Sequence, residues 1–112
     1  MVVDNTVLGT ILMLFMGHFT GDFVLQNDRI AVEKCPGSDV TLPWFWWMIA
    51  HSACHGLITA TITNSPLIGT AEWVTHFTID YFKCKNSYNL LTDQILHLIC
   101  KLAWAIALLQ LK

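Results

Sequence analysis

The sequence predicts an all-α fold, an integral membrane four-helix bundle formed by residues 1–112 as a single domain. Three observations predict it. Of the residues, 54% are hydrophobic and only 12% are charged, about half the charge of an ordinary soluble domain. The apolar residues fall into four segments, each long enough as a helix to cross a hydrocarbon core of about 30 Å. Each segment also carries one pair of ionisable residues spaced i, i+4, and such residues are expensive in an apolar helix unless they share a function.

The predicted helices cover residues 6–25, 43–63, 66–83 and 88–111. Pro43 and Pro66 fit the first turn of the second and third helices, where a missing N–H is harmless. The connection Asn64-Ser65-Pro66 is short, so these two helices are expected to be antiparallel neighbours. Residues 26–42 form the long loop. Trp44, Trp46 and Trp47 follow it and predict an aromatic belt at the membrane interface.

The basic residues predict the orientation of the helices. Arg29 and Lys34 lie in the long loop and Lys83 and Lys85 in the loop before the fourth helix, whereas the opposite face offers Lys112. By the positive-inside rule both loops face the cytoplasm and both termini lie outside it. A net charge of −2 with scattered basic residues gives no surface for nucleic acid, so this partner class is excluded.

The ionisable pairs are His18/Asp22, His51/His55, His76/Asp80 and Asp93/His97. Residues four apart lie on one face of a helix, so each helix presents two polar side chains together. Counted from the helix ends, all four pairs fall at one depth, roughly 5 to 18 Å below the membrane surface. The sequence therefore predicts a metal site inside the bundle, with these eight residues as its candidate ligands.

The types of residue indicate which ion would bind. Imidazole nitrogens and carboxylate oxygens suit Zn²⁺ best, with Mn²⁺ or Ni²⁺ as alternatives. Five histidines and three aspartates are enough for one or two ions. A di-iron carboxylate centre is disfavoured, because it needs several glutamates and the chain has only Glu33 and Glu72. The alternative is that the pairs only hydrogen-bond one another to hold the bundle together.

Three further features are read from spacing. Glu72 and Lys101 extend the polar faces by one turn and predict either a buried ion pair beneath the site or a general-base role for Glu72. Gly17 and Gly21 match a small-x3-small pattern and predict close helix packing. The cysteines have no metal-binding or redox spacing, and those within the apolar segments are expected to be small packing residues.

The run from His18 to Gln26, with the patterns His51-x3-His55, His76-x3-Asp80-x2-Lys83 and Asp93-Gln94-x2-His97, resembles a family. Its members are small bacterial and phage inner-membrane proteins classed as a domain of unknown function. In outline the pattern is similar to proteins labelled membrane-bound metal-dependent hydrolases. The resemblance implies a bacterial inner-membrane location and a site with His and Asp ligands, and it adds Gln26, Lys83 and Gln94 to the candidate functional residues. It implies no substrate.

Two functions are compatible with this pattern. The first is a metal-dependent hydrolase that acts near the inner surface on a phosphate or acyl bond of a lipid or lipid-linked substrate. Glu72, Lys83 and Gln26 are its candidate catalytic residues, and Lys34 lies with Gln26 and Lys83 near the mouth. The second is a non-enzymatic membrane module, such as an ion or proton carrier or a small phage-type membrane effector. Membrane lipids are partners in both cases, and self-association into a homo-oligomer is left open.

Overall fold

The computed structural model describes residues 5–111, with side chains from residue 7 onward, so Lys112 lies outside the described residues. This part of the chain is helical, with no strand. The elements are α1 (Asn5–Phe19), a π-helical turn (Thr20–Val24), α2 (Asp28–Glu33), α3 (Trp44–Thr63), α4 (Pro66–Cys84) and α5 (Leu90–Leu111). The all-α prediction is confirmed, and the ends of the four long helices fall within two residues of their predicted positions when the π-helical turn is counted with α1.

Local residue chemistry explains where the helices begin. Before α4, the Ser65 hydroxyl accepts a hydrogen bond from the Ile68 N–H at 3.2 Å, and Pro66 occupies the first turn. Before α5, the Asn89 side chain accepts one from the Thr92 N–H at 2.9 Å. Asn64 ends α3 in the left-handed region, with φ of 53°, which reverses the chain within two residues. Pro43 differs from its prediction, because it precedes α3 rather than lying in the first turn.

The four long helices form a ring in which α1 contacts α3 and α5, and α4 contacts the same two helices. The helices α3 and α4 approach most closely, because glycines face each other at their crossing. A Cβ on Gly69 would lie 2.7 Å from the Gly56 carbonyl oxygen and 2.4 Å from Ala60 Cβ. The predicted antiparallel pair is therefore packed backbone against backbone.

The long loop contains a helix that the sequence did not predict. We call residues 26–43 the strap; α2 lies within it and is capped by the Asn27 side chain, which accepts from the Ile30 N–H at 2.8 Å. At the end of α2 the buried Glu33 accepts hydrogen bonds from the N–H groups of Val40 and Thr41, both at 2.7 Å. These bonds, that of Thr41 first, hold the pKa of Glu33 below its ordinary value. The strap is thus a folded segment across one end of the bundle.

The burial pattern is opposite to that of a soluble domain. Within residues 7–111 only four hydrophobic side chains are buried: Leu14, Met48, Ile68 and Ala105. Fifteen polar or charged side chains are buried, and the fully enclosed ones include Lys101, Glu72 and four histidines. Large apolar residues face outward instead, as Leu57 and Leu67 do with 70% of their surface exposed. Soluble proteins rarely bury charges and rarely expose apolar surface on this scale.

Two described segments are long and apolar enough to cross a membrane, Val7–Val24 and Leu90–Leu111. The predicted spans α3 and α4 do not reach the same level of hydropathy. In α4 the reason is the presence of Glu72, Asp80 and Lys83 within a single helix. Length and composition therefore support two of the four predicted spans.

Candidate metal centre

The eight residues predicted as ligands meet in one buried layer. α3, α4 and α5 contribute two each, α1 contributes His18 and the π-helical turn contributes Asp22. Every one of the eight is 6% exposed or less. Overlapping groups of their ligand atoms lie within 4.8 Å of one another. The structure thus brings together His18, Asp22, His51, His55, His76, Asp80, Asp93 and His97. That they bind a metal stays a prediction.

Four of the eight residues form the corners of a tetrahedron, five of whose six edges are between 3.2 and 3.4 Å long. Two aspartate oxygens and two histidine nitrogens make its corners: Asp22 Oδ1, Asp80 Oδ2, His51 Nε2 and His76 Nε2. The distances from Asp22 Oδ1 are 3.2 Å to His51 and 3.4 Å to His76, and those from Asp80 Oδ2 are 3.3 Å to both. The two imidazole nitrogens are 3.3 Å apart.

These edges match the size of a tetrahedral metal shell. A regular tetrahedron with edges of about 3.3 Å has its corners about 2.0 Å from its centre, which is the bond length of Zn²⁺ to imidazole nitrogen and carboxylate oxygen. The four donors are also the types that zinc prefers. Five of the six edges therefore have the length that a tetrahedrally bound divalent ion requires.

His76 is held in the form that a metal ligand needs. Its Nδ1 lies 3.0 Å from Glu72 Oε2, and because a carboxylate only accepts, this nitrogen carries the proton. In a neutral ring Nε2 then has the free lone pair and faces Asp22 and Asp80. A histidine that donates to a carboxylate and binds metal through its other nitrogen is the usual arrangement in metalloproteins.

Both carboxylate oxygens of Glu72 accept hydrogen bonds. Lys101 Nζ donates to its Oε2 at 2.8 Å, and Trp104 Nε1 donates to its Oε1 at 2.8 Å. The predicted ion pair of Glu72 with Lys101 is therefore present, buried beneath the layer. With both oxygens engaged, Glu72 is placed to orient His76 rather than to take a proton from water.

His55 and His18 lie next to the tetrahedron, on the side of α1. His55 Nε2 is 3.0 Å from Asp22 Oδ1 but makes no hydrogen bond there and is left without a partner in a buried position. His18 Nε2 is 2.8 Å from Gln94 Oε1. The amide nitrogen of Gln94 donates to Asp22 Oδ2 at 2.9 Å, which fixes the orientation of the amide. His55 is thus the freer of the two to bind an ion.

On the opposite side, His97 connects the layer to Asp93. Its Nε2 lies 3.0 Å from Asp80 Oδ1 and 3.3 Å from Asp93 Oδ1. The Asp93 oxygen is buried and has no hydrogen-bond partner. Orphaned buried polar atoms are rare in folded proteins and call for an explanation such as a bound ion. Two of the six such atoms among the described residues, His55 Nε2 and Asp93 Oδ1, lie on either side of the tetrahedron.

A break in helical geometry positions Asp22. The π-helical turn carries an i to i−5 hydrogen bond from Leu25 N to Thr20 O at 2.9 Å, and π-turns are frequent at functional sites. Within it, Gly21 gives room to His55, since a Cβ on Gly21 would lie 2.6 Å from His55 Cε1. The predicted packing role holds for Gly17, which faces Ile58. Gly21 instead serves the polar layer.

The charges of the buried layer leave room for one divalent cation. Four carboxylates are buried in the layer and beneath it, those of Asp22, Asp80, Asp93 and Glu72, and two ammonium groups accompany them, Lys34 and Lys101. With neutral imidazoles the excess is two negative charges. Each uncompensated buried charge costs several kcal/mol, so one divalent ion would neutralise the interior.

A cleft beside the strap gives access to the layer at one end of the bundle. This cleft of about 450 Å³ is lined by the carboxylates Asp22, Asp80 and Asp93 together with Gln26 and Lys83. Gln26 donates from Nε2 to the Asp22 carbonyl oxygen at 3.0 Å, and its Oε1 is buried without a partner. The predicted mouth residues therefore surround an entrance to the candidate ligands.

Lys34 lies deeper than its loop position indicated. It is buried, and its Nζ donates to Asp80 Oδ2 at 2.7 Å. Sequence reasoning placed Lys34 at the mouth and missed this ion pair because the fold of the strap was not predicted. It also missed Trp104, although its spacing of seven residues from His97 places it on the same face of α5.

Two cysteine predictions need correction. Cys35 and Cys84, for which no role was expected, form a disulfide with a Cα–Cα distance of 5.3 Å. Cys54, expected to be a buried packing residue, is exposed on the outer face of α3. A cysteine on the apolar outer face of α3 and a cysteine buried inside the bundle both lie within a hydrophobic run of the sequence. The hydrophobic pattern therefore could not distinguish an exposed Cys54 from a buried one.

No curated protein and no solved structure matches this chain. The similarity in outline to metal-dependent hydrolases is therefore without support from these comparisons. A family described as "Protein of unknown function (DUF3307)" matches residues 10–112. This match includes every candidate ligand and the strap. The chain belongs to the DUF3307 family.

Proposed function

We propose that the protein is an integral membrane four-helix bundle whose polar layer binds a divalent metal, most suitably zinc, for hydrolysis of a lipid or lipid-linked substrate. The burial pattern supports the membrane location. A bilayer removes the penalty on exposed apolar side chains and favours polar residues that face the bundle interior. The charges that lower the hydropathy of α4 are such residues, since Glu72 and Asp80 are at most 3% exposed.

Hydroxyl groups on the outer surface support the same location. The exposed Thr20, Thr61, Thr70 and Thr78 each donate to the backbone carbonyl four residues earlier, at 2.8 to 2.9 Å. In hydrocarbon no water is present to pair with a hydroxyl, so this internal bond is the available one. The outer surface therefore has few polar groups that lipid would leave unsatisfied.

One observation carries the proposed reaction. The carboxylates of three candidate ligands, Asp22, Asp80 and Asp93, line the cleft. A divalent ion lowers the pKa of water and polarises a phosphoryl or carbonyl oxygen. Asp93 Oδ1, which has no partner, is placed to accept a proton on the cleft side. Lys83 and Gln26 are placed to hold an anionic group of the substrate.

The cleft also has apolar walls that fit an amphiphile. Phe23, Val32 and Leu90 line it together with the polar residues, and each is more than half exposed. An acyl or isoprenoid chain could contact these side chains while its head group reaches the carboxylates. The bilayer would hold the remainder of the chain.

A structural metal in a non-enzymatic membrane module is the second candidate. The observation that favours it is the tetrahedron itself, because four protein ligands close a zinc site and leave no position for water. In that case the cleft would have no catalytic role. A carrier is less well supported, because the end of the bundle away from the cleft is closed by the buried Leu14 and Ala105.

The test combines metal analysis with an activity panel. Protein purified in mild detergent from metal-replete cells is analysed for metal and incubated with phospholipids, isoprenoid phosphates and acyl amides. We expect about one divalent ion per chain, from the charge balance, and turnover that Asp80→Asn abolishes. Gly9→Ala is the matched control, because a Cβ there meets nothing within 4 Å.

The outcomes separate the two candidates. Bound metal with no turnover across the panel favours the structural role. Metal-free protein that gains no thermal stability from added zinc, manganese or nickel contradicts both.

A further inference from the structure

The disulfide lies at the mouth of the cleft. Cys35 follows α2 in the strap and Cys84 is the last residue of α4, and both line the cleft wall. Their Cα atoms are 5.3 Å apart, within the normal range for a bridge. Forty-nine residues separate them in sequence, so the bond joins parts of the fold that are distant in the chain.

A second link joins the same two segments one helical turn away. Lys34, the neighbour of Cys35, pairs with Asp80, which lies four residues before Cys84 on α4. The disulfide therefore holds the strap in the position where the Lys34 ammonium reaches the Asp80 carboxylate of the polar layer. The disulfide thus lies among the residues that form the mouth of the cleft and not on a surface remote from it.

Formation of this bond requires an oxidant. The two thiols lose two protons and two electrons as the S–S bond forms, and a thiol oxidoreductase in its disulfide form accepts them and becomes a dithiol. Such oxidants act in extracytoplasmic compartments, whereas cytosolic reductants keep thiols reduced. A structural disulfide at the mouth of the cleft therefore indicates that the mouth faces an extracytoplasmic compartment.

We infer that Cys35 and Cys84 are oxidised in the mature protein and that the cleft opens on the extracytoplasmic side of the membrane, with both termini in the cytoplasm. The inference rests on the membrane location in the proposed function and reverses the orientation expected from Lys and Arg. It assigns the substrate to the outer leaflet or to the space beyond it. An amphiphile with an anionic head group fits the cleft in either position.

The structure also weakens the charge argument for the opposite orientation. Lys34 was counted as a loop charge, but it is buried and paired with Asp80. Arg29 lies 3.7 Å from Glu33 across one turn of α2 but is exposed, so it still counts. The remaining bias consists of Arg29, Lys83 and Lys85, and a bias of three residues is a weaker constraint than a covalent bond between the strap and the end of α4.

The experiment counts oxidised cysteines in protein from intact cells. Cells are quenched in acid, free thiols are blocked with N-ethylmaleimide, and the protein is reduced and treated with polyethylene-glycol maleimide. We expect two adducts on the wild-type chain and none on Cys35→Ser, in which Cys84 is blocked as a free thiol. The adducts should disappear in cells that lack the extracytoplasmic thiol oxidase.

A second measurement reports the orientation directly. A fluorescent protein fused after Lys112 should fluoresce, and alkaline phosphatase fused at the same position should be inactive. Wild-type protein without adducts, or active phosphatase at the C-terminus, would overturn the inference. Metal content measured on the same preparations is independent of both readouts, so metal-loaded protein with reduced cysteines would refute the orientation and leave the proposed function standing.

Discussion

A methyl group added at Gly21 should selectively disrupt the polar layer. A Cβ at this position would lie 2.6 Å from His55 Cε1 and 2.7 Å from His55 Nε2, whereas ordinary contact begins at 3.4 Å. The ring must therefore retreat by about 0.8 Å, while metal–ligand bonds tolerate about 0.2 Å. We expect Gly21→Ala to weaken metal binding at least about tenfold, or ~1.4 kcal/mol.

Competition with a chromogenic chelator in detergent would measure the affinity, and two other glycines of α1 provide controls. Gly9→Ala meets nothing within 4 Å and should bind metal as the wild type does. Gly17→Ala would place Cβ 2.6 Å from Ile58 Cγ2, so it should lower thermal stability without a comparable change in affinity. Wild-type affinity in Gly21→Ala, or an equal loss in Gly17→Ala, would refute a role for His55 in the site.

Three further outcomes are expected. Glu72→Gln should weaken metal binding by about 10–100-fold, because His76 loses its orienting carboxylate; chelator competition measures it, and an unchanged affinity would contradict the assignment. Lys101→Met should destabilise the bundle by about 3–5 kcal/mol, because Glu72 stays buried without its cation; Lys83→Met, half-buried, is the control in unfolding by sodium dodecyl sulfate. Reduction of the Cys35–Cys84 bond should lower stability by at most about 4 kcal/mol, the chain-entropy value for a loop of this length; a larger loss would mean that the strap unfolds with it.

The helices and the common depth of the ionisable pairs could be predicted because both are local properties of the sequence. A helix repeats every 3.6 residues, so two residues four apart share a face whatever surrounds them. Counting from Pro43 or from the end of the first apolar run then gives the level along the bundle. The convergence of the eight side chains follows from these two facts and from the ring of helices.

What could not be predicted depends on contacts between distant segments. The pairing of Cys35 with Cys84 and of Lys34 with Asp80 requires the path of the strap, which polar loop residues do not specify. The π-helical turn depends on room for His55 beside Gly21, and glycine alone predicts only close packing. The hydrogen bond from Trp104 to Glu72 likewise appears only when α4 meets α5.

The π-helical turn makes the length of the first span unusually significant. Deleting Thr20 or Gly21 within Thr20–Val24 would allow an unbroken α-helix and would leave every ligand present in the sequence. The residue four positions after His18 would then be Phe23 instead of Asp22, and the pair would lose the spacing that the π-helical turn gives it. Related chains are therefore expected to vary in the length of the strap but to keep a fixed number of residues between His18 and Gln26.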